Sequence, residues 1–215
     1  MFSKNTYITS AVLIGSTLIF LLAYIWFLKS PYFSIVETYA QANLVSFIIF
    51  LVAIKFVGLI YPPIAGGYFI LASIPIIGWQ WAFFADIIGT TLGGTVNYLL
   101  ARKYGIKVVK KLGGDLFAGK VEKIKIKKGR EIEGLILLRI FIGFTVLEMI
   151  HYAAGLLKID FKKYTIAMLV SHVLVQVPIY YLFGGAISSG SWTYLILFIS
   201  IGAIFLYKNK GRYFE

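Results

Sequence analysis

The stretch FFADIIGTTLGGTVNYLLARKYG, residues 83–105, is apolar enough to cross a lipid bilayer, yet it contains Asp86. An ionised carboxylate at the centre of a membrane helix costs at least about 2.5 kcal/mol on insertion scales, so it should face protein or water and have a partner. Small or polar residues follow Asp86 at spacings that place them on its own helical face. They are Gly89, Thr90, Gly93, Gly94 and Asn97. Because small residues let another backbone approach closely, we expect this face to pack against a re-entrant segment, with Asp86 pointing into the polar space that remains.

The composition determines the broad class of the protein. Hydrophobic residues make up 60% of the 215 residues, and the mean hydropathy is +0.85, which is above the range of soluble globular chains. We therefore predict an all-α, polytopic integral membrane protein. A bilayer core of about 30 Å needs a helix of about 20 apolar residues. Runs of this kind occupy residues 7–28, 39–60, 79–101, 161–183 and 191–207.

Two further apolar segments, residues 61–78 and 134–157, do not fit as simple spans. The first contains Pro62, Pro63 and Pro75, and the second has charged residues and glycines spaced through it. Backbone that is not helical survives at membrane depth only where protein or a water-filled cavity satisfies its polar groups. Both segments are therefore predicted to be re-entrant helical hairpins.

The distribution of charge predicts the orientation. The formal net charge is +12, and from Arg102 to Arg130 there are eleven lysines or arginines against two acids. Cytoplasmic loops carry an excess of basic residues. The basic loop, residues 102–133, and the C-terminus are therefore predicted to be cytoplasmic, and the amino terminus is predicted to lie outside. The two re-entrant segments then enter from opposite faces, which is typical of an inverted repeat with a site near the midplane.

The basic run GKVEKIKIKKGRE, residues 119–131, suits a short surface helix or an alternating strand whose lysines reach anionic headgroups. Since topology and headgroup attraction account for the positive charge, no nucleic-acid partner is predicted. The predicted organisation is an N-terminal helix and connector, a core with the two broken segments, and a C-terminal helix with a basic tail. These parts span residues 1–38, 39–190 and 191–215.

The chain lacks the residues that several classes of chemistry require. The chain has no cysteine, so it offers neither a disulfide framework nor a thiolate nucleophile or metal ligand. Neither HExxH nor GxSxG occurs, and Glu148 with His151 supplies only one limb of a carboxylate-bridged metal site. We therefore predict no enzymatic activity, no metal and no cofactor.

Ionisable residues at membrane depth are the candidate site. Arg139 and Glu148 flank a bend predicted at Gly143, where they form either a buried pair or a working site. In the second case Arg139 binds a lipid phosphate through parallel hydrogen bonds, Glu148 or Asp86 exchanges a proton, and His151 relays protons. Asp86 has two interpretations, which stay open. It either takes part in transport or tethers a broken helix, for example as the buried partner of Arg139.

For three other polar residues the sequence predicts less specific roles. Lys55 is placed near the outer end of its span, from which its long stem can snorkel to the interface. His172 and Gln176, on a later helix, are interpreted as hydrogen-bonded structural groups.

Two stretches carry a family resemblance, GGTVNYLLARKYG at residues 93–105 and LLRIFIGFTVLEMIHYAAGLLKIDFKKY at residues 137–164. The features that matter are an aromatic and a basic residue four apart before a glycine, an arginine that opens the second broken segment, and a glycine, aliphatic, aromatic series. They are Tyr98, Arg102 and Gly105, then Arg139, then Gly155, Ile159 and Tyr164. In this order the chain resembles the DedA superfamily, also called SNARE-associated Golgi or VTT-domain proteins. The family usually has prolines shortly after the arginine, and here Gly143 is predicted to provide the bend instead.

The resemblance implies two facing re-entrant hairpins and movement of lipids between leaflets, by phospholipid scrambling or by recycling of a polyprenyl-phosphate carrier. The predicted function is therefore transport of a phosphate-bearing lipid across the cell membrane, with lipids that have anionic headgroups as partners. A proton-coupled carrier of small solutes and a structural or assembly protein are the alternatives. The lipid, the direction of transport and the oligomeric state, a homo-oligomer included, stay open.

Overall fold

The computed structural model describes residues 22–24, 26–61, 66–142 and 148–189, together with 193, 197 and 200. Within these residues the chain is almost entirely helical and contains no strand, as predicted for an all-α protein. The helices with defined bounds in this part of the chain are α1 (Pro31–Ala42), α2 (Leu44–Ile60), α3 (Gly66–Tyr104), α4 (Ile106–Glu122), α5 (Glu131–Ile142), α6 (Glu148–Leu156) and α7 (Phe161–Ser189).

Two described helices are long and apolar enough to cross a membrane, α3 and the part Phe161–Ala186 of α7. A third candidate exists if α1 and α2 are counted together as one broken span. These helices contain the runs 79–101 and 161–183 that the sequence marked as spans. The predicted spans 7–28 and 191–207 lie largely outside the described residues.

The predicted span 39–60 is interrupted. Helix α1 ends at Ala42 and α2 begins at Leu44. Between them, Asn43 has φ −131° and ψ 48°, which is not helical, and its side-chain amide donates to the carbonyl oxygen of Tyr39 at 3.3 Å. Asparagine side chains offer backbone groups this alternative partner, and for that reason they favour helix ends.

Helix α3 is divided near its first third. Its 39 residues would be about 58 Å long as one straight helix, nearly twice the bilayer core. Gly78 divides it, with φ 81° and ψ 157°, a conformation essentially restricted to glycine. Pro75 lies three residues earlier and removes one backbone donor. Residues 66–77 therefore fall in the first predicted broken segment, and residues 79–104 continue as the long apolar helix.

Helices α5 and α6 occupy the second predicted broken segment, residues 134–157. The bend predicted at Gly143 lies outside the described residues. Helix α5 packs against α7, and α6 packs against both α3 and α4. The second segment is therefore held by the two long apolar helices and by the basic helix α4.

The chain separates into two compact units, residues 1–44 and residues 45–215. In the first, α1 begins at Pro31, which suits the first helical turn because its missing N–H would have no partner there. In the second, two apolar clusters of described residues form part of the core. One gathers Tyr98, Leu135, Leu138, Ile150, Ala154, Ile159, Tyr164, Ala167 and Met168. The other gathers Ala101, Val109, Phe117, Ala118, Val121, Met149, Tyr152 and Ala153.

The predicted orientation can be measured with single cysteines, since the chain has none of its own. Glu122, at the end of α4, and Ser189, at the end of α7, are both exposed. We expect Glu122→Cys to react with a membrane-impermeant maleimide only from the cytoplasmic side, and Ser189→Cys only from outside. The opposite labelling pattern would overturn the orientation derived from the lysines and would leave the helices unchanged.

Candidate functional site

The small-residue face of α3 packs against α2. A Cβ built on Gly89 would lie 2.8 Å from the Cβ of Lys55, and one built on Gly93 would lie 2.9 Å from the Cβ of Leu59. Asn97, one turn further along, donates to the carbonyl oxygen of Leu59 at 2.6 Å, which satisfies one of the last carbonyls of α2. The backbones therefore approach closely. The partner of Gly89 and Gly93 is α2, whereas Gly94 on the same face meets His151 of α6, within the second predicted broken segment.

Asp86 is fully buried and forms an ion pair with Lys55. Nζ of Lys55 lies 2.9 Å from Oδ1 of Asp86, and the lysine is only 3% exposed. Its stem passes over Gly89, and its ammonium lies 3.6 Å from a Cβ built on Gly67. The expectation that Lys55 snorkels to the outer interface is wrong. Glycines leave room for the stem inside the protein, and a buried carboxylate attracts the ammonium strongly in a low dielectric.

His172 is a second polar partner of Asp86. Its Nε2 lies 3.2 Å from Oδ2 of Asp86, and its Nδ1 lies 2.6 Å from Nη2 of Arg139. A guanidinium can only donate hydrogen bonds, so Nδ1 is the acceptor and the ring proton of the neutral imidazole is on Nε2, facing the carboxylate. The structure therefore joins Arg139 to Asp86 through one imidazole. The direct cation partner of Asp86 is Lys55, where the sequence had considered Arg139.

Neutral side chains also donate hydrogen bonds to the carboxylate. Nε2 of Gln176 donates to Oδ2 of Asp86 at 3.4 Å, and Oγ1 of Thr90 donates to Oδ1 at 3.4 Å. Both oxygens thus have protein partners, as a buried charge requires. We call the set Lys55, Asp86, Arg139, His172 and Gln176 the buried polar cluster.

The sequence analysis interpreted His172 and Gln176 as hydrogen-bonded structural groups. The structure places both on one side of α7, in contact with Asp86. The available signal was their spacing, because two polar residues four apart on an apolar helix share a face.

His151 lies beside this cluster and is also fully buried. Its Nδ1 lies 2.8 Å from the hydroxyl oxygen of Tyr164, and its ring fits against Gly94, where a Cβ would come within 2.7 Å. Among the described residues, Nε2 of His151 and Oε1 of Gln176 have no hydrogen-bond partner. Since buried polar atoms are normally paired, these two atoms give the region unused hydrogen-bonding capacity.

A second group of side chains meets at the end of α3. The hydroxyl of Tyr98 donates to the carbonyl oxygen of Ile159 at 2.5 Å. Arg102 donates to that oxygen at 2.8 Å and also to the Tyr98 hydroxyl. The Tyr98 ring stacks on Tyr164 with centroids 4.6 Å apart. Gly105, with φ 65°, then ends the helix. We call this group the α3–α7 junction.

The connection from α6 to α7 presents the Ile159 carbonyl to this junction. Helix α6 ends at Leu156, and Lys158, two residues later, has φ 53°. The N–H of Ile159 bonds the carbonyl oxygen of Ala154 at 3.1 Å, a Schellman-type closure. Asp160 then caps α7, since its Oδ1 accepts from two first-turn N–H groups at 3.0 Å and 3.2 Å. With a helix end on one side and a cap on the other, the peptide at Ile159 has a fixed direction.

The candidate residues therefore fall into two places in the structure. Asp86 and Arg139 belong to the buried polar cluster, and His151 lies beside it. The residues that carried the family resemblance, other than Arg139, form the α3–α7 junction or support it: Tyr98, Arg102, Gly105, Gly155, Ile159 and Tyr164. Glu148 opens α6, and its side chain lies outside what the structure describes.

The arrangement permits three kinds of behaviour. The lysine and arginine cations can bind an anion that competes with Asp86 for them. The carboxylate can exchange a proton. The cluster as a whole can hold four helices together. In the part of the chain that the structure describes, no group of three or more His, Cys, Asp or Glu residues could hold a metal ion.

Comparison with known proteins identifies a family and one relative. The VTT domain family matches residues 56–185, which include every described helix from the end of α2 to most of α7. An uncharacterised protein of Methanocaldococcus jannaschii is 32% identical over 120 residues, which cover 54% of this chain and 70% of that protein. No solved structure matches the chain. The matched region holds the α3–α7 junction and every member of the buried polar cluster except Lys55. Because the match covers more than half of the 215 residues, the chain belongs to the VTT-domain family, which is the DedA/SNARE-associated family.

Proposed function

We propose that this protein moves a phosphate-bearing lipid between the leaflets of the cell membrane, as a transporter and not as an enzyme. The observation that carries the proposal is the buried polar cluster in a chain of apolar helices. Lys55, Asp86 and Arg139 are each at most 3% exposed. Ionisable groups at this depth are costly and are functional by default in membrane proteins.

A lipid headgroup meets the same barrier as these side chains. Its phosphate must cross a hydrocarbon core about 30 Å thick, where an unpartnered charge is expensive. The cluster draws on α2, α3, α5 and α7. A charged headgroup could be received where these helices meet, with its acyl chains left in the surrounding lipid.

The two cations suit a phosphate in different ways. The guanidinium of Arg139 is planar and can give two parallel hydrogen bonds to phosphate oxygens, whereas the ammonium of Lys55 is a compact point charge. In the arrangement described, Asp86 holds Lys55 directly at 2.9 Å and reaches Arg139 through His172. An arriving phosphate would compete with this carboxylate for both cations. Protonation of Asp86 would favour the exchange of partners, with His151 and Glu148 as candidate relays.

The broken helices support a site of this kind. Residues 66–77 precede the break at Gly78, and α5 and α6 occupy the second predicted segment. We infer that both segments are re-entrant and enter from opposite faces, with the basic loop 102–133 in the cytoplasm. Transporters with inverted repeats place their sites between such segments near the midplane. Membership of the VTT-domain family adds support.

A proton-coupled carrier of small solutes is the second candidate. Two buried histidines near a buried carboxylate favour it, because imidazole can change its charge within the physiological pH range. A purely structural role is the third candidate, and it would require only that the cluster holds its helices together.

The decisive experiment is a leaflet-exchange assay with purified protein in vesicles that carry labelled phosphate-bearing lipids. We expect exchange by the native chain, and we expect Arg139→Lys to slow it on the order of tenfold, since a lost hydrogen bond to a charged group is worth about 1.5 kcal/mol or more. The exposed Arg130 gives the matched control, and Arg130→Lys should leave the rate unchanged.

The outcomes separate the three candidates. Uptake of a small solute without lipid exchange would favour the carrier. Equal exchange rates for Arg139→Lys and Arg130→Lys would remove Arg139 from the transport site. A native chain that is folded but exchanges no lipid and takes up no solute would leave the structural role.

A further inference from the structure

Helix α4 is broken at Gly114, which has φ 81° and ψ 169°, and apolar residues from both of its halves pack against the rest of the protein. Its buried residues are Val109, Phe117, Ala118 and Val121, and they lie in one core cluster with Met149, Tyr152 and Ala153 of α6. The rings of Phe117 and Tyr152 meet edge to face, with centroids 5.9 Å apart. The helix is therefore fixed to α6 by apolar contacts.

The opposite face of α4 is basic and exposed. Lys107, Lys110 and Lys111 are all exposed, and their spacing of three and four residues places them together, away from Val109. One acid lies near them: Oδ1 of Asp115 is 3.5 Å from Nζ of Lys110, and its side chain is 91% exposed. An exposed pair of this kind is weak, so the face keeps its positive potential.

The position of α4 along the chain places this face at the membrane surface. Helix α4 starts two residues after α3, a candidate membrane span, with Gly105 at φ 65° as the turn between them. Tyr104, at that turn, is 53% exposed and has the Lys103 ammonium 5.2 Å from its ring centroid. Tyrosines with neighbouring lysines are typical of the headgroup layer. With its apolar residues packed against α6, a helix at this location can hold its exposed lysines against the headgroup layer.

We infer that the lysine face of α4, formed by Lys107, Lys110 and Lys111, binds anionic phospholipid headgroups of the surrounding leaflet. An anionic leaflet attracts each lysine near its surface by an amount that corresponds to about fivefold in binding. Three lysines together then change affinity on the order of a hundredfold. This is an interaction surface separate from the buried polar cluster, since none of the three lysines is in that cluster.

Helix α4 is connected to the transport site through α6. Tyr152 faces α4 across Phe117, and its hydroxyl donates to the carbonyl oxygen of Ile60 at 2.9 Å. The adjacent residue, His151, contacts Tyr164 beside the buried polar cluster. Anionic lipid on α4 therefore stabilises the position of α6 and increases lipid exchange, a regulatory role that rests on the proposed function.

Binding is tested by thermal unfolding of the full chain in neutral detergent, with added phosphatidylglycerol or phosphatidylcholine. We expect phosphatidylglycerol alone to raise Tm. The variant Lys107→Gln/Lys110→Gln/Lys111→Gln should need about a hundredfold more phosphatidylglycerol for the same rise. The matched control Lys158→Gln/Lys162→Gln/Lys163→Gln removes three exposed charges outside α4 and outside the basic run 119–131, and it should respond like the native chain. Equal responses of the two variants, or no effect of phosphatidylglycerol on the native chain, would overturn the inference.

Regulation is tested by leaflet exchange in vesicles with and without phosphatidylglycerol. We expect faster exchange by the native chain in anionic vesicles, and equal rates in both vesicles for the α4 variant. A native rate that is the same in both vesicles would overturn the regulatory role and leave the binding result standing. Absence of exchange in every vesicle would refute the proposed function, whereas the unfolding experiment would still decide whether α4 binds anionic lipid.

Discussion

Replacement of Lys55 by methionine is expected to lower the stability of the protein by about 3 to 5 kcal/mol, because removal of one partner of a buried ion pair leaves the other charge uncompensated. The carboxylate of Asp86 is fully buried, and the lysine ammonium is its closest cation, at 2.9 Å. Methionine keeps most of the stem that passes over Gly89. The expected effect in detergent is a fall in Tm of roughly 10 °C.

A double variant separates the loss of charge from the loss of packing. In Lys55→Met/Asp86→Asn both charges are absent, and most of the lost stability should return, since neutral replacements of a buried pair are often tolerated. Arg139→Gln combined with Asp86→Asn should not give this recovery, because Lys55 would remain buried without its carboxylate. Exposed Lys103 provides the control, and Lys103→Met should change Tm little. An unchanged Tm for Lys55→Met would show that this lysine reaches water.

Gly155→Ala is expected to destabilise the chain by about 3 kcal/mol, at the upper end of the usual overpacking cost. A Cβ at Gly155 would meet the carbonyl oxygen of Tyr98, the Cβ of Ala101 at 2.9 Å and the backbone nitrogen of Arg102 at 3.0 Å. Two of these are backbone atoms of α3, which cannot turn aside as a flexible side chain can. The measurement is the yield of folded protein and its Tm in detergent.

Gly119→Ala is the matched control for this prediction. A Cβ at Gly119, within α4, would have no neighbour within 4 Å. Alanine there should stabilise the helix by about 0.5 to 1 kcal/mol, because glycine loses more backbone entropy when a helix forms. A Gly155→Ala variant as stable as Gly119→Ala would mean that α3 and α6 separate without cost.

The small-residue face of α3 illustrates what local pattern can predict. The spacing of Gly89 and Gly93 after Asp86 placed them on one face, and both are buried against α2. The spacing could not identify the partner helix, since small residues allow any segment to approach closely. The interruption at Asn43 was also missed, because Gln41, Asn43 and Ser46 are too few polar residues to divide the apolar run 39–60.

Lys55 illustrates a side-chain direction that the sequence could not predict. It lies five residues before the end of α2, about 7.5 Å at the helical rise, so its long side chain could reach the interface or turn inward. Sequence position fits both outcomes. The inward path depends on glycines of α3 for room and on Asp86 for charge, and these belong to a different helix.

The sequence by itself determined the properties that arise from composition and short-range spacing. These are the all-helical membrane class, the family, the shared face of Asp86 and Gly93, and the helix end at Gly105, where glycine accepts a positive φ. Tertiary structure alone decided which polar groups meet. Gln176 is 90 residues from Asp86, and Tyr98 is 61 residues from the carbonyl of Ile159. Contacts over such separations depend on how whole helices pack, and the pattern within each helix states only which face is polar.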